Sequence, residues 1–147
     1  MTNIYFDFED GNGPVPAHLH PNGGGWVADT AKVYETSYVG PDAQVYGDAT
    51  VSGNARVYGN ATVSGDAWVY GYARVYGYAR VYGDAIVYGD AWVGGNARVS
   101  DDARVSDDAR VYGDDQVYSY TKVQKETKKD RIFINGKWYV EEVEEFE

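Results

Sequence analysis

The sequence contains no cysteine and only two histidines among its 147 residues. The absence of cysteine excludes disulfide bonds and thiolate metal sites, and it is typical of a reducing compartment. The histidines, His18 and His20, both lie close to the start of the chain. A metal site built on them lacks a third ligand nearby, so neither a metal ion nor a catalytic residue is predicted.

The sequence also lacks a long apolar run and an excess of basic residues. No stretch approaches the roughly 18 apolar residues of a membrane span, and the opening MTNIYFDFED has no basic segment followed by an apolar one. The net charge of −10 argues against binding to duplex nucleic acid, because its phosphates attract basic surfaces. We therefore expect a soluble, cytoplasmic protein that binds neither membranes nor duplex nucleic acid.

A six-residue repeat dominates the remainder of the chain. From residue 42 the sequence reads DAQVYG, DATVSG, NARVYG, NATVSG and DAWVYG, and valines recur every six residues from Val27 to Val123 without an insertion. Alanine and valine two residues apart face the same side of a short strand, whereas glycine followed by Asp or Asn favours a turn. Each hexad is predicted to form one short strand and one corner, and such units must stack to bury their apolar side chains.

This repeat resembles that of the hexapeptide-repeat proteins, whose best-known members are acyltransferases. The resemblance covers roughly residues 26–124. It implies an all-β fold, a left-handed parallel β-helix with triangular coils of about 18 residues, stacked about 4.8 Å apart. The segment HLHPNGGGWVADTAKV also resembles the first coil of short phage and prophage members of this group, which begin with GGWV.

Both ends of such a solenoid need cover, because open strand edges invite polymerisation. Residues 3–8 predict a strand, followed by a GNGPVP loop, and RIFINGKWYVEEV predicts a β-hairpin that turns at Asn135-Gly136. We expect residues 1–25 to form an N-terminal cap and loop, residues 26–124 the β-helix, and residues 125–147 a capping hairpin with an acidic tail.

The second side of the predicted coil carries a compact apolar area. Residues 18 apart stand above one another, so Trp68 lies under Ile86 and Tyr70 lies under Tyr88. An exposed apolar patch of this kind marks an interface, although aromatic and β-branched residues also suit an exposed sheet. We predict that these four residues form an oligomer interface, with a trimer favoured.

The third side of the coil combines arginine with aromatic residues. Here alone tyrosine replaces Asp or Asn at two successive corners, Tyr72 and Tyr78, and Gly94 stands where a tyrosine is expected, leaving space beside Tyr76. Arginine with flat rings is typical of protein hot spots and of phosphate-plus-base recognition, although copying of the repeat unit also produces such columns. The predicted ligand- or partner-binding residues are Arg56, Tyr58, Tyr72, Arg74, Tyr76, Tyr78, Arg80 and Trp92.

These features predict a non-catalytic oligomeric binding protein without a cofactor. Its partner is a small anionic molecule such as a nucleotide, or a host protein if the phage resemblance holds. One alternative, implied by the hexapeptide resemblance, is an acyltransferase-like enzyme with an active site between subunits and His18 or His20 as the base. The other is a structural spacer or virion component. Turn preference alone accounts for a column of corner aspartates, at positions 48, 66, 84 and 102.

Overall fold

The computed structural model describes residues 4–118, 122–123, 131–134 and 137–140. These residues form strands and turns, and the described part of the chain contains no helix of the length and apolar character needed to cross a membrane. In chain order the strands are β1 (Tyr5–Asp7), β2 (Pro14–Leu19), β3 (Trp26–Ala28), β4 (Lys32–Val33), β5 (Tyr38–Val39), β6 (Gln44–Val45), β7 (Thr50–Val51), β8 (Arg56–Val57), β9 (Thr62–Val63), β10 (Trp68–Val69), β11 (Arg74–Val75), β12 (Arg80–Val81), β13 (Ile86–Val87), β14 (Trp92–Val93), β15 (Arg98–Val99), β16 (Arg104–Val105), β17 (Arg110–Val111), β18 (Asp115–Val117), β19 (Lys122–Val123), β20 (Arg131–Ile134) and β21 (Lys137–Val140).

Three parallel sheets form the sides of the coil. We call them the first face (β3, β6, β9, β12, β15, β18), the second face (β4, β7, β10, β13, β16, β19) and the third face (β5, β8, β11, β14, β17). Paired residues are 18 apart in sequence, so Val69 lies between Val51 and Val87. The prediction of an all-β parallel solenoid is confirmed, with about five turns. The left-handed sense of its coil stays a prediction.

The interior of the solenoid is built from alanine and valine. Every valine of the repeat from Val39 to Val111 is fully buried, and so is every alanine from Ala49 to Ala109. Backbone hydrogen bonds join successive coils; the amide of Arg56, for example, donates to the carbonyl of Ala73 at 2.9 Å. Burying one valine contributes on the order of 1.5 kcal/mol, so the stacked valines and the backbone ladder together stabilise a thin core.

The corners of the coil require glycine for two reasons. Gly65 has a φ of 65°, and a Cβ there would lie 2.9 Å from the amide nitrogen of Gly83 in the next coil. The backbone conformation and the close stacking therefore both exclude a side chain. Asp101 and Asp107 occupy the same repeat position with φ of 56° and 57°, which aspartate tolerates better than most residues.

The N-terminal segment differs from the sequence prediction in its second half. The predicted GNGPVP loop is only in part a loop, because Pro14–Leu19 forms β2, which pairs antiparallel with β1 on one side and with β3 on the other. The sequence predicted a loop here because Pro14 and Pro16 have no amide hydrogen, and proline is typical of turns and strand edges. Strands β1 and β2 thus extend the first face beyond its first coil.

The C-terminal strands extend the same sheet at its opposite end. Strand β21 pairs in parallel with β18 and antiparallel with β20, with Arg131 opposite Val140. The predicted turn at Asn135-Gly136 and the acidic residues 141–147 lie outside the described residues. The capping roles of both ends stay predictions.

Candidate binding surfaces on the outer faces

The second face carries the four apolar residues that the sequence placed together. Trp68 and Ile86 are register neighbours, and Tyr70 stacks on Tyr88 with ring centroids 5.0 Å apart and planes 7° from parallel. Trp68 meets Tyr70 edge-on at 6.4 Å, yet 53% of its surface stays exposed. These four residues form one apolar area, in which Trp68 is exposed and the other three are half-buried, and we call it the second-face patch.

The second-face patch also changes the acidity of one of its tyrosines. Partial burial raises the pKa of Tyr70, and the neighbouring Tyr88 raises it further, while the positive charge of Arg104 acts in the opposite direction. Burial dominates because it disfavours the charged phenolate. The surroundings of Tyr70 therefore favour its neutral hydroxyl over the phenolate.

A tryptophan lies between two arginines on the third face. Trp92 pairs in register with Arg74 on one side and with Arg110 on the other. The guanidinium carbon of Arg74 lies 5.0 Å from the indole centroid and that of Arg110 lies 4.8 Å from it. Both distances are within the range of cation–π attraction, and stacking leaves the edges of each guanidinium free to donate hydrogen bonds.

A second arginine–aromatic stack lies one coil away on the same face. Arg56 lies over the ring of Tyr38 at 4.7 Å, and Arg56 is also the register neighbour of Arg74. The two guanidinium groups therefore stack on rings that lie on opposite sides of the pair. We call the column Tyr38, Arg56, Arg74, Trp92 and Arg110 the third-face ladder. Tyr38 and Arg110 were absent from the predicted site, although their 18-residue spacing placed them in the same column.

Tyrosines flank the third-face ladder and fill a space that the sequence had left open. Tyr58 stacks on Tyr76 with centroids 5.4 Å apart, and Tyr76 meets Trp92 edge-on at 6.1 Å. Gly94 is buried under the ring of Tyr76, because a Cβ on Gly94 would lie 2.3 Å from that ring. The space expected beside Tyr76 is thus occupied by Tyr76 itself.

Three of the predicted site residues lie away from the ladder. Tyr72 and Tyr78 stand at corners and are each 64% exposed. Arg80 belongs to the first face, where it pairs in register with Thr62 and Arg98. Six residues along the chain turn one corner, so Arg80 cannot share a face with Arg74. The predicted site therefore divides into a third-face ladder with its tyrosines, two corner rings and a separate arginine.

Positive charge collects on the flat faces even though the net charge of the chain is −10. Among the described residues, the one close contact between a basic and an acidic side chain joins the Nδ1 of His18 to the Oδ1 of Asp29 at 2.7 Å. The arginines of the coils therefore have no carboxylate partner in this part of the chain, which leaves their hydrogen-bond donors available to an external anion. These arginines are Arg56, Arg74, Arg80, Arg98, Arg104 and Arg110.

The two histidines have different surroundings. His20 is buried, and its Nε2 lies 2.8 Å from the carbonyl oxygen of Ser37, an arrangement that positions the loop before β3. His18 is half exposed beside Asp29 and borders an open depression of about 370 Å³ that Lys32 and Tyr34 also line. An Nδ1–H donated to Asp29 leaves the Nε2 of His18 free to accept a proton.

No three acidic, histidine or cysteine side chains are close enough to hold a metal ion in the described ranges. The column of corner aspartates includes three exposed members and one half-buried member, Asp102. This column therefore does not form a metal site of that kind.

Comparison with known proteins supports the repeat architecture. The sequence model of a family described as YdcK beta solenoid repeat matches residues 43–57, 55–71, 79–95, 97–113 and 103–119. The chain is a β-solenoid repeat protein. No match was found to a curated protein or to a solved structure. The matched segments contain the second-face patch and Arg56, Trp92 and Arg110 of the third-face ladder, whereas Tyr38 and Arg74 lie outside them.

Proposed function

We propose that this β-solenoid protein is a non-catalytic, self-associating binding protein whose third face holds a planar anionic small molecule of the nucleotide class. The observation that carries the proposal is the third-face ladder. It sets three arginines beside two aromatic rings, and none of the three has an ion-pair partner in the described part of the chain. Arginine donors suit a phosphate, and the tyrosines that flank the ladder suit a base.

The arrangement of Arg56 and Arg74 supports an anion between them. They are register neighbours with like charge, and each stacks on the ring that lies on its own side of the pair, away from the other arginine. The two arginines lie on adjacent strands, whose backbones are about 4.8 Å apart, and their like charges repel each other unless an anion lies between them. A phosphate group held by both would remove this repulsion, while a ring of the ligand packs beside Tyr58 or Tyr76.

Self-association through the second-face patch completes the proposal. Trp68 remains more than half exposed although it lies beside Ile86 and Tyr70, and tryptophan and tyrosine are enriched at the centres of protein interfaces. A homotrimer of left-handed hexapeptide coils in the cytoplasm is the assembly we favour. In a phage setting, to which the GGWV segment points, the captured molecule would be a host factor or signal.

Isothermal titration calorimetry against a panel of nucleotides and cyclic nucleotides tests the ligand. We expect at least one nucleotide to bind the wild type, Arg74→Glu to abolish that binding through charge reversal, and Tyr76→Ala to weaken it by roughly 1–3 kcal/mol, as the loss of one stacking platform does. Arg104→Glu on the second face is the matched control and should bind as the wild type does. The absence of binding to the wild type, or full binding by Arg74→Glu, would refute the proposal.

A second candidate function, an acyltransferase-like enzyme, is favoured by the contact between His18 and Asp29. A carboxylate that holds one ring nitrogen of histidine at 2.7 Å orients the other nitrogen as a general base. The depression beside His18 would then receive the acyl acceptor. The exposure of both partners weakens this candidate, because general bases work best where water is excluded.

Acetyl-CoA turnover distinguishes the two candidates. The binding proposal expects no turnover by the wild type and unchanged nucleotide binding by His18→Ala. Measurable turnover that disappears in His18→Ala, with the oligomeric state and the melting temperature unchanged, would favour the enzyme instead. His20→Ala is unsuitable as the test because His20 is buried and bonded to the backbone.

A further inference from the structure

The tyrosine columns differ between the faces in a way that creates a slot on the first face. On the second face Tyr70 and Tyr88 occupy successive coils and stack on each other. On the first face, by contrast, Ser64 separates Tyr46 from Tyr82. Successive coils are about 4.8 Å apart, so the backbones of the two tyrosines lie about 9.6 Å apart along the sheet. That separation admits one flat ring between them.

The floor and one side of this slot are polar and basic. A cavity of about 220 Å³ lies here, lined by two hydroxyl side chains, two tyrosines and two arginines. Arg80 and Arg98 are register neighbours, both are exposed, and neither has a carboxylate partner in the described ranges. Thr62 precedes Arg80 in the same column. The lining residues are Tyr46, Thr62, Ser64, Arg80, Tyr82 and Arg98.

We propose that this first-face slot is a second binding site, separate from the third-face ladder, and that it takes a phosphate monoester of an aromatic ring. The phosphate accepts hydrogen bonds from Arg80, Arg98 and the Thr62 hydroxyl, since paired guanidinium groups and hydroxyls are the donors that suit a phosphate. The ring enters above Ser64 and stacks between Tyr46 and Tyr82.

The second face offers an internal comparison for the slot. Ser52 also stands between two tyrosines of its column, Tyr34 and Tyr70. Its outward neighbours are Thr50 and Trp68 instead of arginines. The position above Ser52 therefore has the spacing of a ring slot, with the Thr50 hydroxyl and Lys32 nearby, but it lacks the paired arginines of the first face and is expected to hold the anion more weakly.

Calorimetric titration with phenyl phosphate and with inorganic phosphate tests the site. It is carried out on the wild type and on the Arg74→Glu variant, in which anion binding by the third-face ladder is abolished. Phenyl phosphate should bind both proteins. Arg80→Gln should weaken its binding about tenfold or more, because a charge-assisted hydrogen bond is lost. Ser64→Tyr should abolish the binding by filling the slot with the residue that this repeat position carries elsewhere. The matched controls Ser52→Tyr and Arg104→Gln should bind as the wild type does.

Three results would overturn the proposal. One is the absence of phenyl phosphate binding in the Arg74→Glu background. Another is equal binding by Ser64→Tyr and Ser52→Tyr. The third is an affinity for inorganic phosphate as high as that for phenyl phosphate, which would mean that the aromatic ring of the ligand contributes nothing to binding. Thermal melting of each variant checks that the solenoid is intact. If the first-face slot binds nothing, the nucleotide titrations of the third face keep their expected results, so the two proposals fail separately.

Discussion

The inside and the outside of this solenoid follow different rules. Inside, the same alanine and valine recur in every coil, and the described core from Val39 to Val111 is fully buried throughout. Outside, the residue before the valine varies along each column, and one column reads Tyr38, Arg56, Arg74 and Trp92. The repeated positions determine the fold, and the variable positions are left to carry the chemistry.

This division has a physical basis in the stacking of the coils. A repeated residue meets its own copy 18 positions away, so one solution to packing serves every coil. A variable residue meets a different neighbour on each side, and its role depends on that neighbour. Tyrosine at one repeat position stacks on tyrosine where two coils both carry it, as Tyr70 and Tyr88 do, but it borders a slot where serine follows, as at Tyr46 and Ser64.

The largest effect is expected from a corner glycine that both turns the chain and touches the next coil. Gly65→Ala should lower the free energy of unfolding by about 3 kcal/mol, because alanine disfavours its positive φ and its Cβ would press on the backbone of Gly83. Gly113→Ala is the matched control, with the same φ of 65° but no described atom within 4 Å of the added Cβ. We expect it to cost about 1 kcal/mol.

Urea denaturation followed by circular dichroism measures both values. Equal losses in the two variants would mean that coil stacking imposes no requirement on the corners, which contradicts the account of the repeated positions.

A change on the second-face patch should alter assembly and leave the fold intact. Trp68→Glu combined with Ile86→Lys should shift the protein from an oligomer to a monomer, since central tryptophan contacts typically contribute about 2 kcal/mol or more to an interface. Gln44→Glu combined with Thr62→Lys places the same charges on register neighbours of the first face and should leave the mass unchanged. Light scattering reports the result, and an unchanged mass for the first variant removes the second-face patch as the interface.

The smallest effect concerns the pH dependence of stability. The pKa of Tyr70 is raised in the folded protein, chiefly by burial. The stability contributed by its neutral hydroxyl is therefore fully present below a pH of about 10, the ordinary tyrosine value, and is lost as the pH rises through the raised pKa. Tyr70→Phe should flatten this loss in melting curves recorded between about pH 9 and pH 11. Tyr72→Phe, at an exposed corner, is the control. If both variants show the same pH dependence of the melting temperature, the loss of stability does not come from Tyr70.

Much of the architecture could be predicted because the repeat encodes it directly. The six-residue spacing predicted the coil length, the valine core and the register that sets Trp68 beside Ile86. Strand β2 could not be predicted, because Pro14 and Pro16 are typical of a loop and the strand depends on its pairing with β1 and β3. The 18-residue spacing also assigns Arg80 to the first face, so grouping it with Arg74 was an error of interpretation. The direction of the Tyr76 ring, which fills the space expected beside Gly94, could not be predicted because the spacing does not encode side-chain direction.

Native mass spectrometry of the protein purified from expressing cells tests the central claim most directly, because it reports stoichiometry and any retained small molecule together. The account predicts an oligomer of the wild type that carries an added anionic mass, an Arg74→Glu variant with the same stoichiometry but without that mass, and a monomer for Trp68→Glu with Ile86→Lys. A wild type that is monomeric and free of any added mass, or an Arg74→Glu variant that retains the small molecule, would contradict it.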